Sequence, residues 1–157
     1  MIRKLSRAIR EYKRDTVLTP VTAAMEVVME VIIPVLMAFL IDRGINAGDM
    51  DTIWRTGLLL VLCALVSMAF GVLSGFFGAR ASTGFARNLR QDMYYAVQKY
   101  SFSNIDKFST GSIVTRLTTD VTNLQNTFQM LIRIAVRAPS TLIFSMVMAF
   151  LVNARLA

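Results

Sequence analysis

Glu26 and Glu30 are the side chains best placed to do chemistry in this chain. They stand four residues apart inside a long apolar run, which puts both on one face of a helix. An ionisable group at membrane depth is costly, and it points to protein or to a water-filled cavity rather than to lipid. The pair is therefore read in two ways: as cavity-lining groups on a solute pathway, or as partners of polar groups on a neighbouring helix. Other chemistries drop out by residue type. The sequence has no histidine, which excludes Ser-His and Cys-His catalysis and imidazole metal sites. Its one cysteine, Cys63, builds neither a disulfide framework nor a thiolate metal cluster. No Gly-Lys dipeptide occurs, so a phosphate-binding loop of the form G-x-x-x-x-G-K-S/T is absent from the sequence. No catalytic, cofactor-binding or metal-binding residues are assigned, and the chain itself is not read as an enzyme.

The elements that carry the two glutamates follow from where charge is missing. Of 157 residues, 55% are hydrophobic and 17% are charged, against about 25% charged in an ordinary soluble domain. Residues 56–79 carry no charge, residues 138–154 carry none, and no basic residue lies between Arg14 and Arg43. A helix needs about 20 mostly apolar residues to cross a bilayer. Three spans result: 17–41, 56–79, and a third from about 136 to 154. The first run is too long, and with its glutamates too polar, for a secretory signal. Pro34 predicts a local kink in the first span. Gly71 and Gly75 form a small-xxx-small pair that allows close helix approach in the second.

The 17 basic residues outnumber the 10 acidic ones, a formal charge of +7. Six of them fall in residues 1–16 and eight in residues 80–137. Because they flank spans, they are read as a topology signal and not as a nucleic-acid surface. The rule that positive loops stay inside puts the N-terminus and 80–137 in the cytoplasm, 42–55 in a short outside loop, and the C-terminal end outside. Residues 2–14 place Ile2, Leu5, Ile9 and Tyr12 on one face among basic residues, the pattern of a helix lying in the membrane interface.

The cytoplasmic stretch reads as a long helical hairpin. Phe85, Leu89, Met93, Ala96 and Tyr100 form an apolar stripe on the outgoing arm. Val114, Leu117, Val121, Leu124, Phe128, Leu131 and Ala135 alternate at spacings of three and four on the return arm, a heptad seam. Arg116 and Asp120 are spaced to pair at i, i+4. Arms of this size reach about 30–40 Å at 1.5 Å per residue. At the tip, Ser103 followed by Asp106 gives a helix start, Gly111 a stop, and Ser112 a cap for the next helix. The short helix presents Ile105 and Phe108 with Asn104, Asp106 and Lys107, a docking surface with an apolar centre and a polar rim. The expected fold class is an all-α membrane protein: three transmembrane helices, with the second and third extended into a cytoplasmic hairpin capped by a short helix.

Taken together, Phe85-Ala86-Arg87-Asn88-Leu89-Arg90 and the stretch FSNIDKFSTGSIVTRLTTDVTNLQN at residues 102–126 resemble a known family. So do Arg137-Ala138-Pro139 and Met148-Ala149-Phe150. The layout is similar to the N-terminal half of the transmembrane domain of a bacterial multidrug-type ATP-binding cassette (ABC) exporter half-transporter, along the whole chain. One departure is Ser112, where many members carry an acidic residue. The resemblance implies an elbow helix at 1–16, TM1 at 17–41, an outside loop at 42–55, and TM2 with its extension at 56–100. It then implies a coupling helix at 101–111, and the returning extension with TM3 at 112–154.

It further implies that Asn104, Ile105, Asp106, Lys107 and Phe108 dock a nucleotide-binding domain, where ATP and magnesium would bind. That domain is absent from this sequence. The implied partners are the lipid bilayer, the nucleotide-binding domain, the remaining transmembrane helices, and a second half-transporter in a homodimer or heterodimer. Nucleic acid is not among them. The implied location is a bacterial plasma (inner) membrane. Family domains have six spans and this chain offers three, so it is expected to be incomplete on its own, a fragment or a separately encoded half. The alternative is a small three-span membrane adaptor or regulator that binds an ATPase or transporter subunit without transporting.

Overall fold

A computed structural model of the chain describes residues 6–99 and 110–153. All regular elements among them are helical. A 3-10 segment (Ser6–Tyr12) leads into helix α1 (Lys13–Phe39), which closes in a π-helical turn (Leu40–Ile45). Helix α2 runs over Met50–Gln98. Helix α3 (Thr110–Thr115), a π turn (Arg116–Asp120) and helix α4 (Val121–Asn153) complete the order. Three stretches, Ala8–Ile45, Met50–Gln98 and Gly111–Leu151, are long and apolar enough to cross a membrane. The helices need no water to satisfy their backbone, which is the condition for crossing hydrocarbon. Helix α1 continues through Pro20 and Pro34, and α4 through Pro139.

The chain divides into two compact units: residues 1–18 with 76–132, and residues 19–75 with 133–157. In the first unit, the arms 76–98 and 110–132 run antiparallel. Phe85 stacks on Phe128 with ring centroids 4.6 Å apart. Ser82 Oγ donates to Gln129 Oε1 at 3.4 Å, Gln125 Nε2 donates to Thr83 Oγ1 at 3.5 Å, and Arg90 Nη2 donates to Thr122 Oγ1 at 3.2 Å. Each step forward along α2 is a step back along α4.

The face that packs is not the whole stripe expected from the periodicity. Val121 and Ile132 are buried, with Phe128 half-buried between them, whereas Val114, Leu124 and Leu131 are exposed. On the α2 arm, 76–98, the buried side chains are Ala81, Ser82, Phe85, Ala86 and Asn88, smaller and more polar than the predicted stripe. The packed face of α4 runs through Val121, Phe128 and Ile132, one flank of the expected stripe, and leaves Leu124 and Leu131 on the other flank. The π turn adds a residue to one helical turn and so rotates Val114, before it, relative to that face. Threonine side chains accompany the turn, Thr118 donating to Val114 O at 2.8 Å and Thr122 to Thr118 O at 2.9 Å, a bonding pattern that bends helices. The same rotation leaves Arg116 and Asp120 unpaired with each other. Upstream, α3 already includes Gly111 and Ser112, and the short helix that Gly111 was expected to stop lies outside the described residues.

The N-terminal segment differs as well. It is not one regular helix: Arg10 adopts φ 39, ψ −109, a left-handed backbone that costs on the order of 1–3 kcal/mol for a non-glycine residue and survives only when the surroundings hold it. They do. Arg10 Nη2 meets Asp92 Oδ1 at 2.6 Å, and two residues earlier Asn88 Nδ2 donates to Ala8 O at 2.8 Å. Arg80 pairs with Asp15 at 3.4 Å. Tyr12 lies flat on Gly84, where any Cβ would overlap its ring.

In the second unit, α1 presents Thr19, Thr22, Ala23, Glu26 and Val27 as its buried face. Opposite them α2 presents Gly71 and Ser74, with Ser74 Oγ 3.4 Å from the carbonyl of Thr19. Small residues of this kind let membrane helices approach closely. Gly71 serves that purpose and Gly75 does not: a Cβ at Gly71 would lie 3.1 Å from Glu26 Oε1, and nothing lies within 4 Å of one at Gly75. The outward residues of the apolar runs, such as Trp54, Leu58, Met68 and Leu142, are exposed, as a lipid-facing surface requires.

Candidate functional site

The two glutamates meet in an ion cluster of the second unit. Their spacing on α1 brings both carboxylates to one side, and Arg137 on α4 reaches across with its planar fork. Arg137 Nη1 donates to Glu26 Oε1 at 3.0 Å, and Nη2 donates to Glu30 Oε1 at 2.7 Å. One guanidinium thus spans two carboxylates, a use of its geometry that a lysine ammonium does not reproduce. Burial differs between the partners. The Glu26 side chain is 11% exposed, that of Glu30 42%, and that of Arg137 34%. Glu26 Oε2 is buried without a hydrogen-bond partner, and Gly71 leaves room for its carboxylate against α2. The cluster carries formal charges of two carboxylates against one guanidinium. It can tie α1 to α4, and it leaves one acceptor oxygen unused.

Of the residues singled out from sequence, Glu26 and Glu30 are therefore brought together. Asn104, Ile105, Asp106, Lys107 and Phe108 lie outside the described residues. Just inside that connection, Met93, Ala96 and Val97 of α2 face Ser112, Ile113, Arg116 and Leu117 across a cavity of about 140 Å³. Sequence reasoning missed the role of Arg137. It stands immediately before the charge-free run 138–154, and an arginine at the edge of a span is ordinarily a topology signal. The usable clue was stoichiometric: two carboxylates in a span need a cation from some other helix, and Arg137 borders the third span.

Among the described residues, one titrating group outside the spans is perturbed. Asp49, before the first turn of α2, accepts a hydrogen bond from the hydroxyl of Thr52, then from the backbone N–H groups of Thr52 and Asp51. These bonds hold its carboxyl below the ordinary aspartate range. It is an N-terminal cap, with charge placed where the helix dipole favours it.

Comparison with known proteins places these features. Residues 16–157 match the family described as the ABC transporter transmembrane region. An uncharacterised ABC transporter ATP-binding protein of Bacillus subtilis, YfiB, is 34% identical over 131 residues, covering 83% of this chain and 23% of that protein. The uncharacterised ABC transporter ATP-binding protein Rv1273c of Mycobacterium tuberculosis is 26% identical over 145 residues, 92% of this chain and 25% of its own length. An ATP-dependent lipid A-core flippase of Aromatoleum aromaticum is 28% identical over 107 residues, 68% of this chain and 18% of the flippase. The chain spans about a quarter of the length of the curated relatives it matches. With three membrane-length helices, paired arms on α2 and α4 and a match over nearly its whole length, the chain belongs to the ABC transporter transmembrane region family.

Proposed function

We propose that this chain forms the first three membrane helices of an ATP-driven exporter and passes the motion of a nucleotide-binding domain into the bilayer. The observation that carries this is the packing of the first unit. Arms held by Phe85 on Phe128, and by the polar bonds around them, can transmit a displacement at the tip as a rigid body. Residues 104–108 join those arms and supply the docking surface, with Ile105 and Phe108 at its apolar centre. Three further spans complete this half, and a second six-span half, like or unlike, together with two ATP-binding domains completes the machine. Switching between inward and outward access follows the general scheme of two states biased by ATP. In this proposal ATP and magnesium belong to the nucleotide-binding domain, since this sequence carries no phosphate-binding loop.

Glu26 and Glu30 line the solute pathway in this proposal, with Arg137 as their clamp. Relatives that are named lipid A-core flippases support an amphiphilic cargo as one class to assay. The working location is a bacterial plasma membrane with the arms in the cytoplasm, on the distribution of basic residues.

The test is crosslinking in membranes of the native host. In a Cys63→Ser background, Ile105→Cys should crosslink to a nucleotide-binding domain through a short bifunctional reagent, and Asp42→Cys should not. Nucleotide trapping should change the yield at Ile105→Cys. Crosslinks to lipid alone, or a yield indifferent to nucleotide, would reject the docking proposal.

A further inference from the structure

The first unit contains a cleft that the transport proposal does not use. It is about 460 Å³ in size and is lined by Tyr12, Phe76, Ala79, Arg80, Thr83, Gly84 and Arg87. Its two ends differ in chemistry. Phe76 and Ala79 are the final turn of the charge-free run 56–79, and Phe76 is exposed. Arg80, Thr83 and Arg87 follow on the same helix and form the polar end. The spacing is helical: 76, 80, 83 and 87 fall on one face of α2. The floor and one wall are built, not incidental. Gly84 has no Cβ, and this lets the Tyr12 ring lie on the helix; the segment bearing Tyr12 is pinned by Asn88 to Ala8 O and by Arg10 to Asp92.

The charge is net positive: Arg80, Arg87, Lys13 and Arg14 stand against Asp15 and the exposed Glu11 beside Tyr12. Arg80 shares Asp15 at 3.4 Å while 61% exposed, and no carboxylate among the described residues pairs with Arg87. Lys13 and Arg14, both exposed, add to the positive rim beside Tyr12. A ligand for this cleft must offer an anion to two guanidinium groups and a hydroxyl, and an apolar tail to Phe76, at the polar end of a membrane span.

We propose that the cleft binds the headgroup of an anionic phospholipid. The phosphate lies between Arg80 and Arg87 within reach of Thr83, and the acyl chains run along Phe76 toward the apolar residues of α2. Basic pockets at the ends of membrane helices are a recognised place for such headgroups, and guanidinium forks suit phosphate oxygens. The lipid would also brace the N-terminal segment against α2. The proposal does not depend on transport or on docking.

The experiment is native mass spectrometry of the full chain released from nanodiscs of equal phosphatidylcholine and phosphatidylglycerol. The wild type should retain phosphatidylglycerol well above its bulk share. Each guanidinium near the membrane surface is worth about fivefold in binding, so R80Q/R87Q should lose about 25-fold. The doubly substituted R43Q/R55Q removes the same charge elsewhere and should bind as the wild type does. R80K/R87K keeps the charge without the fork and should fall between, which separates loss of binding from loss of folding. Inorganic phosphate, which has no acyl chain, should not displace the lipid. Retained lipid at the bulk ratio, equal losses in R43Q/R55Q, or displacement by inorganic phosphate would each overturn the assignment.

Discussion

Replacing Arg137 with glutamine takes away both ion pairs of the cluster at once and leaves two carboxylates facing each other on α1. The size of the effect follows from burial. Glu26 is the enclosed partner, its side chain 11% exposed, and stripping the partner from a buried charge costs about 3–5 kcal/mol. Glu30 is 42% exposed, so solvent screens its pair to at most about 1 kcal/mol. Arg137 is itself about one-third exposed, which favours the lower end of the first range. Arg137→Gln should therefore destabilise the chain by about 3 kcal/mol.

A double-mutant cycle separates the two legs. Coupling between Glu26 and Arg137 should be about 2–3 kcal/mol, and coupling between Glu30 and Arg137 at most about 1 kcal/mol. In the pair Glu26→Gln with Arg137→Gln the buried charge is gone, and most of the loss should be recovered. The assay is denaturant unfolding of the full chain in mixed micelles, read by far-ultraviolet circular dichroism. A neutral Arg137→Gln, or a Glu30 coupling as large as that of Glu26, would refute the reasoning.

Three further outcomes are expected. Phe85→Ala removes a ring that is 3% exposed and stacked on Phe128 and should cost about 3–5 kcal/mol, whereas Leu131→Ala, at a 60% exposed site, should stay within about 0.5 kcal/mol; the same unfolding assay checks both. Asn88→Ala strands the carbonyl of Ala8 and should loosen the N-terminal segment by about 1–3 kcal/mol, seen as faster tryptic cleavage at Arg10 with the arms still protected from hydrogen exchange. Asp49 titrates below the ordinary aspartate range when folded. Its contribution to the first turn of α2 is therefore present above the unfolded value and is lost as pH falls through the folded one; Thr52→Ala should raise the Asp49 pKa toward the ordinary value in a carboxyl-carbon NMR titration.

The spans were legible because they depend on composition alone. A run such as residues 56–79, with no charge in 24 residues, must be helical and must find an apolar surrounding, whatever its neighbours do. The cap at Asp49 is local too, made with Asp51 and Thr52 in the first turn of α2, although from sequence that residue falls only in a loop. Glu26 and Glu30 were visible for the same reason: charges where the surroundings forbid them. In the arms, Phe85, Val121 and Phe128 were read correctly as contact residues. Leu124 and Leu131 are exposed, because a period counted along one helix does not say which flank of the stripe the partner arm covers; Val114 is separated from that face by the π turn, which no periodicity foresees.

Arg137 belongs to the tertiary structure. It lies 111 residues from Glu26 and 107 from Glu30, and no periodicity connects positions so far apart. Only the approach of α4 to α1 turns an arginine at the edge of a span into the clamp of a two-carboxylate site. The left-handed Arg10 is of the same kind, a backbone state held by Asp92 and by the Asn88 bond to its neighbour. The sequence by itself determined what must be buried in the membrane and what must stay out of it, since transfer free energies act residue by residue. Which buried charge meets which cation, and which face of each arm packs, were decided only when the helices came together, because those energies exist only between pairs.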